Sequence, residues 1–312
     1  MEYSIVDNKE QQSSESKKSR KVAFHAFSPE WDLDEIVLST EVRKTLEDVV
    51  SFCVNKPKIV EEWELHRFLK GAGGCTGINF WGIPGTGKSI AAEAIAKAMK
   101  KRVIHASLNS LLDSLQGNTE KNISELFETA VAEDCVIIFD EADGLLSARK
   151  SGSANSDTIN LIKSHMLNLL DRSSAIVVFT TNFFKSYDRA FVRRILWNIE
   201  FKAPEKDELV KIWQLHLGKN IPREISYENL SDLTINKCKE RNIQVTGGDI
   251  RKLTLMFCTQ LTSGRCDAIT AEVADQVISR YLNDLQENVS PDTRGQVVDV
   301  NKLPEGIREE LK

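Results

Sequence analysis

The sequence has no long hydrophobic run, no excess of positive charge and no closely paired cysteines. No apolar stretch approaches the about 18 residues that a membrane-spanning helix needs. The N-terminus also lacks a basic start followed by an apolar segment. We therefore expect no membrane span and a cytoplasmic location. Lys and Arg total 41 against 46 Asp and Glu, giving a net charge of -5, which disfavours nucleic acid as a partner.

The cysteines are scattered and lack the spacing of zinc or redox sites. Several lie in apolar segments, so we interpret them as buried, reduced thiols. They are Cys53, Cys75, Cys135, Cys238, Cys258 and Cys266. Hydrophobic residues make up 41% of the chain and charged residues 28%, a balance typical of globular proteins.

The 312 residues exceed the usual size of one domain, so we expect two globular parts with tails. Residues 1–28 are predicted to form a flexible polar arm, and 288–312 a C-terminal tail. Residues 29–203 alternate short β-branched segments with helical patterns, which predicts an α/β fold with a parallel sheet flanked by helices. Residues 204–287 carry helical patterns alone and predict a smaller all-helical domain.

The predicted strands have a β-branched or apolar core and cover 78–81, 102–107, 135–139, 175–181 and 198–201. Between the second and third strands, apolar residues recur at helical spacing at Ile123, Leu126, Phe127, Ala130 and Val131. This stripe predicts an amphipathic helix with all five side chains in the core.

A glycine-rich segment from Gly82 to Ser89 fits the pattern G-x-x-x-x-G-K-[ST]. It follows a predicted strand and opens a predicted helix, so its backbone N–H groups and the helix N-terminus can converge on phosphate. Lys88 is expected to neutralise the β- and γ-phosphate oxygens, and Ser89 to ligate Mg²⁺. The predicted nucleotide-binding residues of this loop are Gly82, Ile83, Pro84, Gly85, Thr86, Gly87, Lys88, Ser89 and Ile90.

The apolar strand at 135–139 ends in Asp140 and Glu141. Open α/β sheets bind ligands at the carboxyl ends of their strands. Asp140 is therefore expected to hold a Mg²⁺ water, and Glu141 to polarise the water that attacks the γ-phosphate. The next strand ends at Asn182, whose amide is expected to help orient that water. A simple turn role for Asn182 stays open, because Asn is common in turns.

Three arginines complete the predicted site. Arg193 and Arg194 lie far along the chain from the glycine-rich segment and suit the γ-phosphate of a neighbouring subunit, with Arg194 slightly favoured. Arg251 follows Gly247 and Gly248 at the start of a predicted helix and is expected to reach the phosphates of its own subunit. A surface position for Arg251 stays open.

Together these motifs resemble those of the AAA ATPases, a branch of the AAA+ superfamily of P-loop proteins. The resemblance covers about residues 29–285. In the family's order, GIPGTGKS resembles Walker A, IIFDEAD Walker B, FTTN sensor 1, AFVRR the arginine-finger region and GGDIR the sensor-2 region.

The resemblance implies Mg-dependent ATP hydrolysis by a ring-shaped homo-oligomer, expected to be a hexamer, that remodels or disassembles a protein client. Client contacts are expected at Leu115, within a segment similar to pore loop 1, and around 152–155. Leu115 stands where translocating members usually carry an aromatic residue, which weakens the case for polypeptide threading. The compact build of the chain is similar to that of the HORMA-domain remodellers. Recruitment of the client through an adaptor also fits a chain of this kind.

Two other functions stay open. A DNA-associated AAA+ loader is favoured by Arg251 and Leu115 but opposed by the net charge of -5. A regulatory switch would bind ATP without turnover. The presence of a full set of catalytic candidates argues against it, namely Lys88, Asp140, Glu141 and Asn182.

Overall fold

The computed structural model describes residues 24–65, 74–107, 119–147, 154–182 and 187–288, with side chains at all of these except 119, 154–158 and 288. Most of the predicted N-terminal arm, Leu115 and nearly all of the predicted C-terminal tail lie outside these ranges. The described residues group into two compact units. The first lies within 24–36, 40–83 and 87–201, and the second within 37–39, 84–86 and 202–288.

The first unit contains a parallel sheet of five strands in the order β2-β3-β4-β1-β5. The strands are β1 (Thr76–Gly82), β2 (Arg102–Ala106), β3 (Cys135–Phe139), β4 (Ile176–Thr181) and β5 (Ile195–Phe201). β3 and β4 are buried at every residue, as expected for strands covered by helices on both faces. The predicted α/β fold is confirmed.

Six helices belong to the first unit in the described ranges. They are α1 (Thr40–Glu61), α2 (Lys88–Ala98), α3 (Thr119–Ala132), α4 (Asp143–Leu146), α5 (Ala154–Arg172) and α6 (Arg189–Val192), and a short 3-10 helix at Leu33–Glu35 precedes them. α3 and α5 pack against each other, and α3 also packs on β3. They cover one side of the sheet at its β3 region and close the core there.

The apolar stripe of α3 is buried at Ile123, Leu126, Phe127 and Ala130, as the spacing predicts. Val131 is 46% exposed, so its predicted place in the core is wrong. It lies one residue from the end of α3, at the border of the apolar face, where the helix turns it away from the sheet.

The second unit contains four helices, α7 (Lys206–Leu217), α8 (Tyr227–Arg241), α9 (Gly247–Thr262) and α10 (Ala271–Asn288). Capping residues mark the start and the end of α8. Ser226 caps α8 through a hydrogen bond from the Asn229 amide, and Asn242 ends α8 in the left-handed conformation. The core of this unit is built around Trp213, which is fully buried and contacts Phe257.

None of the helices in the described ranges combines the length and the apolar character that crossing a bilayer requires. The six cysteines are free thiols. Cys53, Cys135 and Cys238 are buried, and Cys75, Cys258 and Cys266 are partly exposed. Burial raises the pKa of the Cys53 thiol to about 11, so this thiol stays protonated at neutral pH.

The stacked rings of Phe139 and Phe179 hold β3 against β4 in the core, with centroids 5.5 Å apart. Phe139→Ala is expected to lower the free energy of unfolding by about 3–5 kcal/mol, because it leaves a cavity at a residue that is 1% exposed. Phe27→Ala is the control, since Phe27 is 56% exposed and bonds β2 only through its backbone. Urea unfolding followed by fluorescence measures both variants; equal midpoints would contradict the packing described here.

Candidate nucleotide site

The glycine-rich loop joins the end of β1 to the start of α2 at Lys88. Gly82 has φ +141°, and a Cβ there would lie 2.1 Å from the Phe201 carbonyl oxygen, so β5 leaves room only for glycine. Gly87 has φ +90°, and a Cβ there would meet no atom within 4 Å. Glycine is required at 87 for its left-handed backbone, and the open space beside it suits a phosphate at the helix N-terminus.

The tip of the loop, residues 84–86, belongs to the second unit. There the Gly248 amide donates a hydrogen bond of 3.0 Å to the Gly85 carbonyl. A Cβ on Gly85 would lie 2.5 Å from Thr246 Oγ1, so this contact also requires glycine. Within the second unit, the loop tip is therefore bound to the start of α9.

Lys88 is 7% exposed and points back along its own loop. Its Nζ donates to the Gly82 carbonyl at 2.7 Å, to the Ile83 carbonyl at 2.9 Å and to Asn182 Oδ1 at 3.1 Å. Burial lowers the pKa of this ammonium, and the carboxylates of Asp143 and Asp140 partly offset that effect. An ammonium held by neutral acceptors at a helix N-terminus is available to an arriving phosphate.

Ser89 and Asp140 meet beside the loop, where Ser89 Oγ donates to Asp140 Oδ1 at 2.8 Å. A hydroxyl and one carboxylate are the oxygen ligands that Mg²⁺ uses in nucleotide sites, where it keeps several waters and binds phosphates. The described residues contain no group of three or more His, Cys, Asp or Glu side chains placed to hold a metal. A nucleotide site does not need such a group, because waters and phosphates supply the other Mg²⁺ ligands. The donor set fits Mg²⁺.

Glu141 is the second residue beyond the end of β3 and is exposed. Its φ is +52°, a left-handed backbone that costs a non-glycine residue about 1–3 kcal/mol. Its amide donates to Thr180 Oγ1 at 3.2 Å, and the Thr180 hydroxyl donates in turn to Asp140 Oδ1. Thr180 was not among the predicted site residues. It follows Phe179, which lies opposite Phe139 in the adjacent strand, so the structure makes it a neighbour of Asp140.

Asn182 follows β4 and joins the same cluster through its side chain, which accepts from Lys88. The backbone N–H of Asn182 donates to both carboxylate oxygens of Asp143, at 3.1 and 3.3 Å. Asp143, the last residue of the DEAD sequence, therefore fixes the backbone at Asn182 and was also overlooked. Tyr187 bonds Thr181 through the two side-chain hydroxyls, and no local sequence signal announces that contact.

Arg193 and Arg194 lie apart from this cluster. Arg194 is held within its own chain, because Nε and Nη2 donate to the two carboxylate oxygens of Asp171 at 3.0 and 2.7 Å. Its Nη1 donates to the Ala190 carbonyl. The Arg193 side chain is exposed and makes no hydrogen bond or ion pair with the part of the chain that the structure describes. Of the two arginines, Arg193 is the one available to another molecule.

The remaining predicted residues have mixed surroundings. Pro84 is exposed, while Thr86 and Ile90 are partly buried. Arg251 is exposed in the first turns of α9, in the second unit. Its charge adds to the effect of burial in lowering the pKa of His216.

The AAA family model, described as the ATPase family associated with various cellular activities, matches residues 78–203. Residues 78–203 thus match an AAA ATPase domain. A cell division cycle protein 48 homolog from Archaeoglobus fulgidus is 32% identical over 51% of this chain and 22% of its own length. The peroxisomal ATPase PEX6 of Dictyostelium discoideum is 29% identical over 82% of this chain and 21% of its own length.

A putative 26S proteasome regulatory subunit homolog from Methanocaldococcus jannaschii is 27% identical over 59% of this chain and 48% of its own length. The chain thus spans less than half the length of these relatives. Residues 78–203 thus carry the domain of the predicted family, and the family's description and the name of the PEX6 relative are those of ATPases. They also support nucleotide binding by the AAA domain.

Lys88→Ala is expected to weaken ATP binding by about 10- to 100-fold, because it removes a charged donor from the phosphate end of the site. Calorimetric titration with ATP measures the change. Lys97→Ala is the matched control: Lys97 lies on the same helix, and its ion pair with Asp32 is on the surface. Unchanged affinity in Lys88→Ala would contradict the assignment of the phosphate loop.

Proposed function

We propose that the chain binds and hydrolyses ATP with Mg²⁺. The observation that carries this proposal is the convergence of Lys88, Ser89 and Asp140 at the carboxyl ends of β1 and β3, with Asn182 bonded to Lys88. This edge of a parallel sheet is the ligand-binding edge in open α/β folds. The open space beside Gly87 supports the same location for the phosphates.

In this proposal each side chain has one task. Lys88 moves from its carbonyl acceptors to the β- and γ-phosphates, and Ser89 and Asp140 hold Mg²⁺. The ion, when bound, neutralises charge on the phosphate oxygens. Asn182, released by Lys88, becomes available to hydrogen-bond the attacking water.

Glu141 is assigned the polarisation of that water. Its side chain is exposed at the same strand edge, and its backbone is bonded to Thr180. A carboxylate with its charge free of an ion pair is a competent proton acceptor. Within the described residues, the structure gives Glu141 no salt bridge.

Glu141→Gln is expected to bind ATP with wild-type affinity and to lose turnover by about 100-fold or more, because the amide keeps the size of the side chain but cannot accept the proton. Steady-state phosphate release and ATP titration measure the two quantities. The control is Glu133→Gln, a surface residue paired with Arg102. Turnover at the wild-type rate in Glu141→Gln would assign water activation to another residue.

We further propose that the active site is completed by a neighbouring subunit of a ring, expected to be a hexamer, and that Arg193 supplies the finger. Two observations support this order, which reverses the slight preference for Arg194 from the sequence. The exposed Arg193 side chain bonds no described residue, and Arg194 is paired with Asp171. Arg194 then braces the turn that carries Arg193. The arginine acts on charge that develops during hydrolysis, so binding depends on it little.

Arg193→Ala is expected to abolish hydrolysis while each subunit still binds ATP. Mixing it with Glu141→Gln should restore part of the turnover, because an intact Glu141 site then receives Arg193 from its neighbour. The control is each variant assayed alone at the same total protein concentration. Full specific activity in a protein shown to be monomeric at the assay concentration would contradict the shared site.

The protein client belongs to the same proposal. One relative is named as a proteasome regulatory subunit homolog, and another family match is a vacuolar protein sorting-associated protein from Dictyostelium discoideum. These names support a protein client. We propose that the chain remodels or disassembles this client in the cytoplasm, directly, through an adaptor or as a HORMA-domain remodeller. Stimulation of the ATPase by DNA, lost at high salt, would instead favour the loader function.

A further inference from the structure

We propose that Thr180 is the positioning residue that sets the orientation of Glu141 and Asp140. Thr180 is 2% exposed at the carboxyl end of β4, beside the end of β3. The proposal rests on the proposed function of Glu141 and adds a residue on a different strand that acts through it.

The Thr180 hydroxyl is bonded on both sides. It donates to Asp140 Oδ1 and accepts the Glu141 amide at 3.2 Å. The Thr180 carbonyl accepts the Ala142 amide at 2.8 Å. One residue therefore contacts three consecutive residues, Asp140 through its carboxylate and the next two through their backbone.

The hydrogen bond from Glu141 to Thr180 matters because the backbone of Glu141 is strained. Its φ of +52° is a conformation that a glutamate leaves readily unless its neighbours hold it. The bond from its amide to Thr180 and the Ala142 bond lie on either side of that left-handed residue. A relaxed backbone at 141 would redirect the carboxylate away from the phosphate end of the site.

The same hydroxyl orients Asp140. The Oδ1 atom of Asp140 accepts from both Ser89 and Thr180, so the carboxylate is fixed between α2 and β4. Valine at 180 would keep the shape of threonine and remove both hydroxyl bonds, while serine would keep the hydroxyl. This pair of variants separates the hydroxyl from the packing of the side chain.

Thr180→Val is expected to lower kcat by about 10- to 100-fold, since small misplacement of catalytic groups has effects of that size. The KM for ATP and the affinity for a non-hydrolysable ATP analogue should stay within about threefold of wild type. Thr180→Ser should retain at least about a third of the wild-type kcat. Thr234→Val is the control, because it removes an equally buried hydroxyl, bonded to the Leu230 carbonyl in α8.

A second readout is independent of catalysis. Amide hydrogen exchange at Glu141, measured by NMR without nucleotide, should accelerate by about fivefold to tenfold in Thr180→Val and stay unchanged in Thr180→Ser and Thr234→Val. Wild-type exchange and wild-type kcat in Thr180→Val would overturn the inference. A kcat as low in Thr180→Ser as in Thr180→Val would also overturn it, by assigning the effect to packing.

These outcomes differ from failure of the proposed function. Wild-type turnover in Glu141→Gln would overturn the role of Glu141 and with it the catalytic consequence assigned to Thr180. Lost turnover in Glu141→Gln together with normal turnover in Thr180→Val would overturn the inference alone.

Discussion

The register between β3 and β4 is the constraint on which the candidate site depends. Phe139 lies opposite Phe179, so the residues that follow them, Asp140 and Thr180, are neighbours at the carboxyl edge of the sheet. Side chains alternate along a strand, and a slip of one residue would turn Asp140 away from Ser89. The buried aromatic pair therefore does more than fill the core, because it fixes which polar atoms meet at the sheet edge.

Lys88 adds a second constraint, which concerns charge. An ammonium that is 7% exposed loses most of its hydration, and two backbone carbonyls and one amide oxygen replace the lost water. The acceptors are neutral, so the positive charge of Lys88 is solvated without being cancelled by a direct ion pair to them. A phosphate at this helix N-terminus would therefore be stabilised both by the charge of Lys88 and by the helix dipole.

Much of this arrangement could be predicted from the sequence. The five strands were predicted to within about three residues, and 204–287 was predicted to be helical, because buried strands and amphipathic helices leave strong local patterns. The glycine-rich segment was predicted to join a strand to a helix and does so, and the predicted site residues Ser89 and Asp140 meet beside it. The burial of Val131 was predicted wrongly, since periodicity does not show where an apolar face ends.

The contacts that periodicity could not give are those between residues far apart in the chain. Asp171 and Arg194 are 23 positions apart, and Thr180 and Asp140 are 40 apart. Such pairs depend on sheet order and helix packing, which local propensity does not encode. The proposal that Arg193 rather than Arg194 is the finger likewise rests on the Asp171 pair of Arg194, which the sequence does not show.

The position of β1 in the sheet bears on how the chain folds as it is synthesised. β1 lies between β4 and β5, and Thr76 pairs with Ile176, about 100 residues later in the chain. At a synthesis rate of about 5–20 residues per second, β1 waits roughly 5–20 s for its first partner strand to emerge from the ribosome. During that interval a strand that is almost wholly buried in the folded protein has both edges open. The nascent chain is therefore exposed to chaperone capture and to mispairing between neighbouring chains on a polysome until β4 emerges.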